Sequence, residues 1–243
     1  MTATSSAADH RGRFEARLHK DAAGQTLPYR LLSPKELKPG EKYPLVLFFH
    51  GAGECGADNE KQLIHGMNDF ASDEIMAKFP AFVVAPQCPL GQQWVDTPWS
   101  ADAHTMKEKP TDSLRQSLEL VDALVKALPV DEKRLYITGL SMGGFGVWDA
   151  IQRHPDRFAA AVVVCGGGDP AYAARIKHIP VWAFHGDSDT AVKPRRSREM
   201  IEALKRAGGN PKHTEYEKTG HDAWTRTYAD PQVYEWLFAQ HKL

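Results

Sequence analysis

The sequence is poor in cysteine, has no excess of either charge and contains no long apolar stretch, and each shortage removes a class of protein. Three cysteines in 243 residues, Cys55, Cys88 and Cys165, are too few and too scattered for a disulfide framework or a zinc site, both of which need clustered spacing. Free or buried thiols are the default. A disulfide joining Cys55 to Cys88 stays open as the alternative, because each follows an expected strand on the same rim of the sheet. Lys and Arg number 30 against 31 Asp and Glu, with no long basic run, so the electrostatic footprint of a nucleic-acid or anionic-membrane binder is missing. The longest apolar runs, 45–49 and 159–165, are strand length, well short of the roughly 18 residues a membrane-spanning helix needs. Segment 1–10 lacks the apolar core of a signal peptide. That leaves a cytoplasmic protein, or a secreted or periplasmic one whose signal has been removed.

What is present is ordinary globular composition, 42% hydrophobic and 25% charged, enough to bury one sizeable core. The expected organisation is a flexible N-terminus over 1–12 and one domain over 13–243. Apolar runs bounded by Gly and Pro alternate with stretches of helical period, which predicts βαβ units: an α/β fold, a mostly parallel sheet with helices on both faces. Residues 13–19 and 26–32 alternate like half-buried strands around Asp21 to Gly24 and predict an antiparallel N-terminal hairpin. Strands follow at 44–49, 81–85, 134–138, 160–164, 181–184 and 212–217. Leu114, Leu118, Val121, Leu124, Val125 and Leu128 predict a helix capped by Thr111 and stopped by Pro129. Further helices are expected at 143–153, 197–207 and 233–241, and a long irregular stretch at 86–110. The short segment between strands 160–164 and 181–184 leaves no room for a helical lid domain.

Gly139-Leu140-Ser141-Met142-Gly143 matches Gly-x-Ser-x-Gly directly after an expected strand and directly before an expected helix, the context that gives the pattern its mechanical meaning. A serine there sits on a tight, strained turn and is exposed at the sheet edge. A hydroxyl is a poor nucleophile at neutral pH, so it needs an imidazole to take its proton and a carboxylate to orient the imidazole. In this chain order the acid follows a late strand and the histidine follows the last. His185-Gly186-Asp187-Ser188-Asp189 and Gly220-His221-Asp222 stand in those places. Asp189 lies deeper in its loop than Asp187, which suits the turn beside Gly186, so Asp189 is the expected acid. Asp222, adjacent to the histidine, suits a helix cap instead. Of 11 histidines, His221 is chosen by position; His50 and His185 end strands and are expected to brace loops, and His65, His104 and His178 have no assigned partner. The oxyanion of a tetrahedral intermediate needs backbone N–H donors, expected from Met142 and from Ala52, with Gly53 next, in the loop His50-Gly51-Ala52-Gly53-Glu54. Trp94 and Trp99, in the irregular stretch, either wall the substrate site, as Gly53 would line it, or pack the loop onto the body.

These motifs, with Ala85-Pro86-Gln87-Cys88-Pro89 and Gly220-His221-Asp222-Ala223-Trp224, resemble the α/β-hydrolase superfamily, and within it small serine esterases of the carboxylesterase/phospholipase, polyhydroxybutyrate-depolymerase and feruloyl-esterase kind. The likeness spans about 43–240 and departs at Cys55, where this loop type carries an arginine or another polar residue. The resemblance implies hydrolysis of short-chain or aryl carboxylic esters through an acyl-enzyme, feruloyl and acetyl esters of plant polysaccharide among them, without metal or organic cofactor. The implied partner is a small-molecule or polysaccharide-borne ester at an open site, with no nucleic acid and no membrane. Two alternatives stand beside this: a serine peptidase or amidase with the same residues, and a catalytically inactive hydrolase fold used for binding.

Overall fold

The computed structural model describes residues 8–242. Eight strands run in chain order: β1 Glu15–Lys20, β2 Thr26–Leu32, β3 Tyr43–Phe49, β4 Phe82–Pro86, β5 Val130–Leu140, β6 Ala160–Val164, β7 Val181–Gly186 and β8 Lys212–Tyr216. The helices are α1 Met67–Phe70, α2 Asp73–Lys78, α3 Asp112–Ala127, α4 Met142–Arg153, α5 Arg195–Arg206, α6 Trp224–Ala229 and α7 Pro231–Phe238. The strands form one sheet in the order β1-β2-β4-β3-β5-β6-β7-β8. β1 pairs antiparallel with β2 and β2 antiparallel with β4, while every later pairing is parallel. The expected architecture, a mostly parallel sheet entered by an antiparallel hairpin, is therefore the one observed.

The central strands carry unbroken apolar runs because both of their faces are covered. Leu45, Leu47 and Phe49 of β3 point into one layer with Leu114, Leu118 and Val121 of α3 and Val147 and Trp148 of α4. Val46 and Phe48 point into the other, with Met67 and Phe70 of α1, Ile75 of α2 and Val233 and Leu237 of α7. The two-residue period of a strand sorts its neighbours between layers. At one edge β1 is largely exposed, at the other β8 is half-buried.

Boundaries moved where long-range pairing extends an element. β5 starts at Val130 rather than at 134 because Tyr43 pairs with Val130 before an irregularity in register. α3 has the expected cap, Thr111 Oγ1 accepting from Leu114 N–H at 3.3 Å. α6 is the helix that a cap at Asp222 implied; its bounds were not foreseen, since at six residues it is too short to show a helical period. Residues 1–7 of the expected flexible N-terminus lie outside the described residues, and His10 N–H is bound to Asn68 Oδ1 at 2.7 Å. Cys55, Cys88 and Cys165 are all free thiols. The Cys55 to Cys88 disulfide held open from the sequence is absent; the two thiols are unbonded neighbours, that of Cys88 also 3.4 Å from Ser113 Oγ and that of Cys55 3.9 Å from the Gln92 carbonyl.

Candidate active site

Ser141 sits at the end of β5, where the chain reverses into α4 with φ 54° and ψ −121°, a strained conformation for a residue with a side chain. Close packing enforces the turn. A Cβ on Gly143 would lie 2.0 Å from the Phe49 carbonyl oxygen, and one on Gly139 2.7 Å from that of Gly143, so this approach of backbones admits only glycine at both places. Ser141 N–H is held by the Val164 carbonyl at 2.9 Å.

Two further loops at the same edge of the sheet bring their side chains to this serine. Ser141 Oγ lies 2.8 Å from His221 Nε2, and His221 Nδ1 lies 2.6 Å from Asp189 Oδ2. Asp189 is buried at 4% exposure and accepts from the N–H groups of Ala191 at 2.9 Å and Val192 at 3.0 Å through Oδ1. Burial alone would raise its carboxyl pKa, but hydrogen bonds from His185, His221 and the Val192 amide outweigh burial and hold it well below the ordinary range. An ionised carboxylate on Nδ1 puts the imidazole proton there, leaving Nε2 free to accept from the serine hydroxyl. The arrangement can draw a proton from Ser141 and stabilise the resulting imidazolium. Asp187 instead accepts from Ser188 Oγ at 2.7 Å and Thr219 N–H at 3.3 Å, and Asp222 caps the following turn through Thr225 N–H at 3.1 Å.

His185 was expected only to brace its loop. Fully buried, it stands 3.2 Å from Asp189 Oδ2 through Nε2, with Ser197 Oγ on its Nδ1 at 2.7 Å and the Val192 carbonyl on Nε2 at 2.9 Å. The carbonyl can only accept, so Nε2 carries the proton. Asp189 Oδ2 thus meets two histidine rings, His221 as its hydrogen-bond donor and His185 in a longer contact whose proton is shared with the Val192 carbonyl. A local reading of His-Gly-Asp-Ser-Asp could not find this, since the contact depends on how the loop folds back.

His50 acts on the other side of the pocket. Its Nε2 accepts from Cys88 N–H at 2.9 Å, so Nδ1 is the donor, to the Gly51 carbonyl at 2.6 Å. Burial pulls its pKa down to about 4, keeping it neutral. The carbonyl and N–H of one planar trans peptide point in opposite directions, so fixing the Gly51 carbonyl turns the Ala52 N–H the other way. Ala52, Gly53 and Ser141 line one cavity of about 230 Å3, together with His221, Glu54, His65 and Trp99, and with Leu140, Ala191 and Trp224. Among the described residues neither Ala52 N–H, Gly53 N–H nor Met142 N–H meets a protein acceptor. Trp224 stands edge-on to His221 with ring centres 5.1 Å apart.

Trp99 borders this cavity and Trp94 does not. Trp94 is 0% exposed, stacked on Phe49 with ring centres 4.4 Å apart, and its Nε1–H donates to the His50 carbonyl at 3.0 Å. Its expected place in the substrate wall is thus corrected: a ring this large, with one polar handle satisfied by backbone, packs the irregular stretch onto the body. Glu54 and His65 border the cavity without having been singled out. A larger hollow of about 590 Å3 is bounded by Arg115, Arg153 and Arg157, but their charges are matched by Asp21 and Glu119, by Asp149 and by Asp122.

An eight-stranded, mostly parallel sheet with a serine on a strained strand-to-helix turn, facing a histidine and an acid from two later loops, defines an α/β-hydrolase. Within that class, residues 36–234 match the Phospholipase/Carboxylesterase family, and the chain belongs to that family. It is similar to a solved thermostable esterase, 40% identical with a TM-score of 0.89 over 96% of this chain and 64% of that one. NocK of Nocardia uniformis subsp. tsuyamanensis, provisionally named an esterase, is 31% identical over 69% of this chain and 46% of its own length. The chain thus spans about half of NocK and somewhat under two thirds of the solved esterase. A ferulic acid esterase, 19% identical, shares the fold with a TM-score of 0.68 over 93% of this chain and 98% of that chain.

Proposed function

We propose that the chain is a serine carboxylic ester hydrolase that works through an acyl-enzyme, with Ser141 as nucleophile, His221 as general base and Asp189 as the acid that orients it. The unbroken hydrogen-bonded line from Ser141 Oγ through His221 to Asp189, at 2.8 and 2.6 Å, carries the reading. As Oγ attacks the ester carbon, His221 Nε2 takes the hydroxyl proton, and the carbonyl oxygen becomes an oxyanion that accepts from the Ala52 and Met142 N–H groups. Collapse breaks the bond to the leaving oxygen, which receives the proton from His221. A water, deprotonated by the same nitrogen, then attacks the acyl-enzyme and frees Ser141.

Short-chain and aryl esters suit a cavity of about 230 Å3 bordered by Trp99 and Trp224. Feruloyl and acetyl esters of polysaccharide are the natural candidates, in keeping with the bifunctional acetylxylan esterase/xylanase of Neocallimastix patriciarum, which is 24% identical over 72% of this chain and 23% of its own length. The test is a panel of p-nitrophenyl esters of rising chain length, methyl ferulate, acetylated xylan and an aminoacyl p-nitroanilide, run with wild type and Ser141→Ala. Ester turnover that drops by several orders of magnitude in the folded variant is the expected result. Turnover that survives would remove the assignment, and faster cleavage of the anilide than of any ester would replace it with a peptidase.

A further inference from the structure

Glu54 closes the loop that carries Ala52, yet it is neither a surface acid nor part of a salt bridge of ordinary length. It is 7% exposed. Burial raises its carboxyl pKa, and His65 and the backbone amides of Gly51 and Glu54 offset this only in part. The side-chain nitrogen paired with it, His65 Nε2, is 3.6 Å from Glu54 Oε1, too long for a direct hydrogen bond. The same separation suits one oxygen bridging both atoms from about 2.8 Å.

Glu54 stands beside the serine turn, in the cavity that Ser141 also lines. Glu54 Oε2 and Ser141 Cβ both lie within 3.6 Å of a single point, the place a Cβ on Gly51 would take. His65 and Trp224 are in contact with ring centres 5.3 Å apart, and Trp224 in turn meets His221. Glu54, His65, Trp224 and His221 therefore form one continuous wall of the cavity. A buried carboxyl whose backbone donors only partly offset its burial carries a desolvation cost that a further bound donor relieves.

We infer that Glu54 and His65 form a hydroxyl-binding subsite beside Ser141, which selects esters bearing a free hydroxyl within a few bonds of the ester group, such as monoacylated vicinal diols and sugars. The inference rests on Ser141 being the esterase nucleophile. A hydroxyl donates its hydrogen to Glu54 and accepts from His65, which fills both roles at once. With the proton on His65 Nε2 an ammonium, which can only donate, would satisfy the carboxylate and not the imidazole, whereas a hydroxyl satisfies both. The flat indole faces of Trp99 and Trp224 suit the carbon skeleton of such a polyol. A negative charge so near the developing oxyanion would oppose the reaction, and a substrate hydroxyl that bonds to it disperses that charge.

The test compares 2-hydroxyethyl acetate with propyl acetate, which have the same chain length and differ by one hydroxyl, and with acetylcholine as a cationic ester of similar reach. Wild type is expected to favour the hydroxylated ester over propyl acetate by about tenfold in kcat/KM. In Glu54→Met and in His65→Phe that ratio falls towards one, while Glu54→Gln, which keeps an acceptor, retains most of it. Melting curves establish that each variant is folded, and a single folded variant of the first two decides the matter. Equal rates on the two neutral esters in wild type, a ratio unchanged in a folded Glu54→Met or His65→Phe, or a preference for acetylcholine would each overturn the subsite. Hydrolysis of all esters that survives Ser141→Ala would instead overturn Ser141 as the nucleophile, and the subsite with it.

Discussion

The acid of the site depends on more than its own loop. Asp189 Oδ2 is bonded to His221 and contacted by the buried His185, and its partner oxygen takes two backbone amides, so the carboxylate is tied through both oxygens and held facing His221. Asp189→Asn keeps the shape but offers an amide where a carboxylate must accept from Nδ1–H. It is expected to lower kcat on p-nitrophenyl acetate on the order of 10^4-fold, with little change in KM, which steady-state kinetics would check. A loss below tenfold would mean that another group orients His221. Asp189 was chosen from the sequence because it lies where chain order puts the acid, and the structure sets it 2.6 Å from His221. His185 was read only as a brace, since two histidines one strand apart look alike until the loop around 187–192 closes on one of them.

At the scale of elements, the irregular stretch after β4 divides its two tryptophans between different tasks. Trp94 lies under the loop in the core, and Trp99, partly exposed, faces the cavity. Trp94→Ala removes a fully buried ring and its bond to the His50 carbonyl, so about 3–5 kcal/mol of stability should go, with rates on all esters falling together as the loop loosens. Trp99→Ala should change preference among acyl groups while the urea midpoint stays nearly constant. Midpoints and relative kcat/KM for acetyl, butyryl and feruloyl esters separate the two, and a midpoint that falls equally in both variants would contradict the division. The strand-turn-helix around Ser141 is a different kind of element, dictated locally. Gly143→Ala would drive a Cβ to 2.0 Å from the Phe49 carbonyl, and no rotamer relieves a clash of backbone with Cβ. It is expected to leave little folded protein on a gel-filtration profile.

Across the whole molecule, a buried histidine and a half-buried one couple folding to pH. His50 and His104 both have pKa values drawn down to about 4, in each case first by burial and for His104 also by Arg196. In the unfolded chain an imidazole takes its proton near pH 6.5. A depressed folded value means stability that is full above pH 6.5 and lost as pH falls towards 4, because only the unfolded state gains protons in that window. Each group contributes a slope of up to about 1.4 kcal/mol per pH unit. Asp189, held below the ordinary carboxylate range, adds to the loss only below about pH 4, where the unfolded carboxylate begins to protonate. Urea midpoints from pH 7 to 4.5 should therefore fall steadily, and His50→Gln should flatten the fall by close to one proton. A wild-type midpoint constant over that range would contradict the coupling.

Much of this molecule was settled by local chemistry. Alternating and continuous apolar runs, the Thr111 cap and the glycines around Ser141 act over a few residues, so the sequence alone determined the order of strands and helices, the sheet type and the edge where the chemistry gathers. The tertiary structure decided what distant segments do to one another. It sent Trp94 inward and left Trp99 at the cavity, kept Cys55 and Cys88 as thiols, set His185 against Asp189, and brought Glu54 and His65 together beside the serine. Those contacts depend on loop paths fixed by long-range packing, and a loop has no period from which its path could be read.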